Sequence, residues 1–187
     1  AEDFPMAVHD MIKDTIAAHK RVIFNGNGYS DEWIEEAERR GLPNIKCMVD
    51  AVPALTTPES VEIFEKHGVF TKAELESRAE VMYETYSKTI NIEALTMIDM
   101  AKKQIIPATI KYQTSLAESV NAIKAASSAV DTSVQEALLT DISTNLKEMY
   151  KALENLEDVA SKAEAMEEGA DQGHYYHDVV FAAMDEL

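Results

Sequence analysis

Four residues near the end of the chain, Asp171, His174, His177 and Asp178, have the types and spacing of metal ligands. Histidines three apart lie on one helix face and could share a zinc ion with a carboxylate. No cysteine or third histidine stands close in sequence, however, and Tyr175, Tyr176, Val179, Val180 and Phe181 give the stretch the character of a packing helix. The structural reading of His174 and His177 therefore outweighs the ligand reading. A second candidate is the loop Asn25, Gly26, Asn27, Gly28 and Tyr29, whose residue types tolerate positive φ. A phosphate loop needs glycines spaced to aim several backbone N–H groups at one anion, usually after a strand and with a lysine or helix N-terminus to complete the charge. Here a helical pattern precedes the loop, the spacing is neither GxGxxG nor GxxxxGK[ST], and Asp31 and Glu32 follow, so a turn is favoured over a nucleotide site. The positive run His19, Lys20 and Arg21 could hold an anion, but helix-end electrostatics explains it more simply. His9 and His67 stand alone, and Cys47, with no histidine near it, reads as a small buried apolar residue. No residue is assigned a catalytic role on this basis.

The elements that would position these residues are helical. A capping box, Thr71 with Glu74, opens a long amphipathic stretch from Thr71 to about Ser127. Apolar residues recur in it at Leu75, Ala79, Met82, Tyr86, Ile90, Ala94, Met97, Ala101 and Ile105, in steps of three and four. Pro107 predicts a kink or break around 103–106, after which Leu116, Val120 and Ile123 continue the pattern. Residues 126–133, rich in small residues and with Asp131 and Thr132 as caps, predict a turn. From Val134 a near-heptad pattern, Leu138, Ile142, Leu146, Met149, Leu153, Leu156, Ala160 and Ala163, predicts a helix folding back to about Glu167, with Gly169 ending it.

Upstream, residues 5–24 read as a helix with Pro5 in its first turn. Ser30 reads as the cap of a helix through Arg40 that buries Trp33, Ile34 and Ala37, with Gly41 as its stop. Residues 42–56, with Pro43 and Pro53 and no sustained period, read as a coil connection. Thr57 and Pro58 open a short helix with Val61, Ile63 and Phe64 on its apolar face, and Val69 and Phe70 would staple the start of the long helix. The expected fold is all-α: a long antiparallel helical hairpin over 71–187, with the shorter helices of residues 1–70 packed at one end as one structural unit.

Composition narrows the function classes. The 187 residues carry a net charge of −17, which disfavours nucleic acid and anionic membranes as partners. Between Asp141 and Leu187 there are 12 acidic residues against three lysines, read as a solvated helix face more readily than as a docking arm. A single cysteine, which can form no internal disulfide, fits a reducing cytoplasm. No apolar run approaches the roughly 20 residues that cross a bilayer.

The run EKHGVFTKAELESRAEVMYETYSKTINIEALTMIDMAKKQIIPA, Glu65 to Ala108, resembles the C-terminal region of type III glutamine synthetases, the large-subunit form found mainly in bacteria. NGNGYSDEW at Asn25 to Trp33 and the acidic helical segment near the end are similar to the same tail. The resemblance implies a parent enzyme that activates glutamate with ATP and Mg2+ and ligates ammonia to give glutamine. It also implies a catalytic portion preceding Ala1, further chain after Leu187 that leaves Asp171 to Leu187 loosely held, and a homo-oligomer of stacked hexameric rings. On that reading the chain is a structural fragment with no catalytic, cofactor-binding or metal residue of its own, and its partners are the catalytic portion and neighbouring subunits. The alternative is a free-standing helical interaction module whose acidic arm binds a basic protein.

Overall fold

The computed structural model describes residues 3–187; Ala1 and Glu2, at the head of the expected short-helix portion, lie outside the described residues. The chain forms two compact units, one through Lys46 and the other from Cys47.

In the first unit, α1 (Phe4–His19) carries Pro5 in its first turn and runs into a 3-10 turn at Lys20–Val22. None of its residues is buried, and Phe4, Met6, Met11, Ile12 and Ile16 are exposed. Helix α2 (Asp31–Arg40) stops at Gly41, whose φ of 67° is the left-handed conformation that glycine adopts at least expense. Ser30 precedes α2, but its hydroxyl donates to the Asn27 carbonyl and does not cap the helix as expected. Ala37 is fully buried, whereas Trp33 and Ile34 are only half-buried. The Trp33 ring lies 4.8 Å from that of Phe24, and the Arg40 guanidinium donates to the carbonyls of Arg21 and Ile23, tying α2 to the end of the 3-10 turn.

The second unit opens with helical turns where a coil was expected. Helix α3 (Met48–Ala51) runs into a 3-10 turn at Val52–Thr56, because burying Val49 and Val52 against Ala79 and Tyr83 outweighs a local sequence with no period. Helix α4 (Pro58–Lys66) starts at Thr57, whose hydroxyl accepts from the Ser60 N–H. Its apolar face is narrower than expected, since Ile63 is exposed. Phe70 packs on Phe64 at 5.7 Å and is covered by the Arg78 guanidinium, while Val69 stays in solvent.

Helix α5 (Lys72–Met100) begins with the expected capping box: the Thr71 hydroxyl accepts from the Glu74 N–H and the Glu74 carboxylate accepts from the Thr71 N–H. The helix does not break before Pro107. It widens into a π turn at Ala101–Ile105 and continues as α6 (Ile106–Ala126). A proline lacks the N–H for the usual bond and its ring crowds the carbonyl four residues back; the wide turn, in which the Ile106 N–H donates to Ala101, relieves both problems without a break.

After the turn at 127–132, Asp131 accepts from the Ser133 N–H at 2.9 Å and starts α7 (Ser133–Glu164), which returns antiparallel along α6 and α5. Helix α7 ends before Glu167, and Gly169, with φ 141°, stands instead at the start of α8 (Ala170–Tyr175). The Gln172 side chain donates to the Ala163 carbonyl at 3.0 Å, adding a side-chain bond to a carbonyl in the last turn of α7. A second π turn, Tyr176–Val180, leads into α9 (Phe181–Glu186). This terminal segment is not loosely held: Tyr176, Val180, Ala183 and Met184 complete the main core with Ile90 and Ala94 of α5 and Leu156, Val159 and Ala163 of α7. Three layers of helix therefore meet at the base of the hairpin. Further out only α6 and α7 face each other, and along α6 Leu116 alone is buried. There the polar bond from Gln113 to Ser143 and the ion pair of Lys124 with Glu136 join the two helices.

Candidate functional site

Helices α3, α5 and α8, with the π turn that follows α8, carry the candidate residues of the second unit. His174 points its Nδ1 at Asp50 Oδ1 across 3.8 Å, and His177 bonds its sequence neighbour Asp178 at 2.7 Å. Each histidine ring lies beside a tyrosine of α5, His174 at 6.4 Å from Tyr83 and His177 at 6.5 Å from Tyr86. The two histidines thus turn to different carboxylates. Among the described residues, no three of His, Cys, Asp or Glu converge on a point that would hold a metal ion. Asp171 is exposed.

Cys47 sits at the edge of this cluster, half-buried, its thiol 4.0 Å from the Tyr86 hydroxyl. Burial, and then the neighbouring Cys47, push the Tyr86 phenol up to about 12, so it stays protonated at neutral pH. Burial raises Tyr83 as well, with Asp50 adding to the effect. What holds the helices so close is Gly173: a Cβ there would lie 3.1 Å from the Tyr83 ring and 3.8 Å from Val49. Sequence spacing placed His174 and His177 on one helix face; it had no means of finding Asp50, which comes from a distant element.

The loop 25–29 lies in the first unit. None of its residues takes positive φ, so the expected backbone freedom is not used. Gly26 is small for a different reason: the Phe24 ring folds over it, and a Cβ would sit 2.4 Å from that ring. The Asn27 side chain accepts from the Tyr29 N–H, a local turn bond, and the Tyr29 side chain is fully exposed. The adjacent cavity, about 490 Å³, is bordered by both Asp31 and Lys46. His19, Lys20 and Arg21 are all exposed at the end of α1.

The strongest electrostatic feature went unremarked in the sequence. Hydrogen bonds from Arg39, and then from Arg40, lower the Glu36 carboxyl to about 2. The i, i+3 and i, i+4 spacing of these residues on α2 was the signal available for it.

The described residues are helical throughout, with a long hairpin in the second unit, and comparisons with known proteins give the family. The profile described as glutamine synthetase C-terminal domain matches residues 7–124, and the chain belongs to that family. It is 42% identical over 180 residues to a glutamine synthetase of Butyrivibrio fibrisolvens, an alignment covering 96% of this chain and 26% of that protein. It is 39% identical over 117 residues to the type-3 glutamine synthetase of Dictyostelium discoideum and 35% identical over 118 residues to a glutamine synthetase of Bacteroides fragilis. Each of these two alignments covers 63% of this chain and 16% of the relative, so the chain spans about a quarter or less of the relatives it matches. No helix is long and apolar enough to cross a membrane among the described residues.

Proposed function

We propose that this chain is the helical C-terminal part of a longer glutamine synthetase subunit, a cytoplasmic enzyme of nitrogen assimilation, and that its role is structural. It packs on the catalytic portion and on neighbouring subunits and supports assembly of the ring. The parent reaction is ATP-dependent ligation of glutamate and ammonia. ATP and Mg2+ serve that parent reaction, and its chemistry belongs to the portion outside this chain.

One observation carries the reading: apolar side chains that a free-standing module would hide lie open along three helices. On α5 and α6 these are Ile92, 64% exposed, Leu95 and Ile110, and on α1 they are Met11, Ile12 and Ile16. Ile98, on the same helix as Ile92 and Leu95, is packed against the core.

The double variant Ile92→Lys, Ile110→Lys tests the proposal. The 187-residue chain carrying it should melt as the parent does, whereas the full-length enzyme carrying it should lose oligomer by size-exclusion chromatography with light scattering, and lose activity with it. An intact oligomer of unchanged specific activity would refute the assembly role. The isolated chain should also show no saturable calorimetric signal with magnesium ATP or with glutamate; micromolar binding of either would return the Asn25–Tyr29 loop to consideration.

A further inference from the structure

Ser87 and Asn91 stand one turn apart on α5, and each carries a buried side-chain oxygen with no hydrogen-bond partner in the protein. Ser87 is only 3% exposed. Buried polar atoms are overwhelmingly paired in folded proteins, so two orphans in successive turns call for a physical account. Both line one cavity of about 320 Å³, near the lower end of the roughly 300–1,000 Å³ range of small-molecule sites.

The rest of the lining decides the chemistry. Glu84 is paired with Lys88, whose ammonium also lies in the field of Glu168, so that one cation faces three carboxylates and Glu164 and Glu168, both exposed at the mouth, leave it net negative. The Tyr176 phenol is 2% exposed, and burial together with Glu164 raises its pKa, so it adds no negative charge and remains a neutral hydrogen-bonding group. The Gln172 amide N–H is already committed to Ala163. The cavity is therefore neutral and polar inside and anionic at its mouth. Among the described residues no three His, Cys, Asp or Glu side chains converge on it.

We propose that this cavity binds a small organic cation: a primary ammonium held by Glu164 and Glu168, joined to a hydroxyl or amide head that pairs with Ser87 Oγ and Asn91 Oδ1. Anionic compounds such as glutamate are repelled by the same carboxylates. The site lies within the second unit and is independent of any assembly role.

Glycinamide, which has one ammonium and one amide, is the probe, and acetamide, the same head without the ammonium, is its control. In a two-dimensional amide NMR titration of the full chain, glycinamide should give saturable shifts confined to residues 84–91 and 164–176. Acetamide should bind about tenfold more weakly or not at all, and Glu168→Gln should weaken glycinamide about tenfold. Ser87→Ala should weaken glycinamide yet raise the melting temperature, because it deletes an unpaired buried hydroxyl. No saturable shift at millimolar glycinamide, equal binding of acetamide, or unaltered binding by Glu168→Gln would each overturn the proposal and leave a cavity filled by water alone.

Discussion

Leu156 is fully buried between α5 and the terminal helices, and truncating it leaves a hole that three packed elements cannot close. Leu156→Ala should cost about 2–5 kcal/mol in urea melts. The sequence pattern gives Leu146 equal standing and makes Leu146→Asp severely destabilising. The structure places Leu146 only half-buried on the two-helix stretch, so an aspartate there can reach water. Leu146→Asp should therefore be clearly milder than Leu156→Asp. Glu36 gives a second test at this scale. Its pKa in the fold, about 2, lies below the ordinary 4.5, so the stability it contributes is fully present above about pH 5 and is lost as pH falls from there toward about 2. Trp33, the one tryptophan of the chain, reports this unit. Its emission should change over that interval, and Glu36→Gln should flatten the change.

Between elements, the tightest approach is α8 on α5 at Gly173. Gly173→Ala asks Tyr83 to yield a few tenths of an ångström, while Gly173→Leu has no room at all and should lower stability by about 1–3 kcal/mol or displace the terminal helices, visible as a lower melting temperature. Such pairings separate what was legible in the sequence from what was not. The Thr71–Glu74 box, the Gly41 stop and the 127–132 turn were readable because each is a bond between near neighbours. Helix α3 was not, since Val49 and Val52 become helical only on meeting Ala79 and Tyr83. Periodicity named Tyr86 and passed over Tyr83 and Ser87, two of the more deeply buried positions of α5, because a step of three or four leaves the choice of face open. The candidate cavity escaped for that reason: a serine on a helix carries no mark of facing inward.

For the molecule as a whole, a net charge of −17 sets self-repulsion against exposed ion pairs such as Lys72 with Glu76 and Lys162 with Asp158. Exposed pairs contribute about 0–1 kcal/mol each, so repulsion should win, and the melting temperature should rise as salt is added up to about 0.15 M, where the Debye length is about 8 Å. A fall with salt would mean that the pairs dominate. The π turn at Ala101–Ile105 has a consequence at this scale as well. Inward positions run Tyr83, Ser87, Ile90 and Ala94 to Ala101 at its first residue, and Ile106, Thr109, Gln113, Leu116, Val120 and Ile123 after it. Steps of three, four and seven hold on either side, but the stride from Ala101 to Ile106 is five. The turn thus stores one spare residue. Deleting Lys103 together with Pro107→Ala should leave an unbroken helix with both halves still facing α7, and a cooperative melt, whereas deleting Thr114 should throw the outer hairpin out of step. Between Met100 and Pro107, chain length is free to vary by one residue among descendants of this sequence; elsewhere in the long helix, a change of a single residue would turn everything beyond it away from its partner.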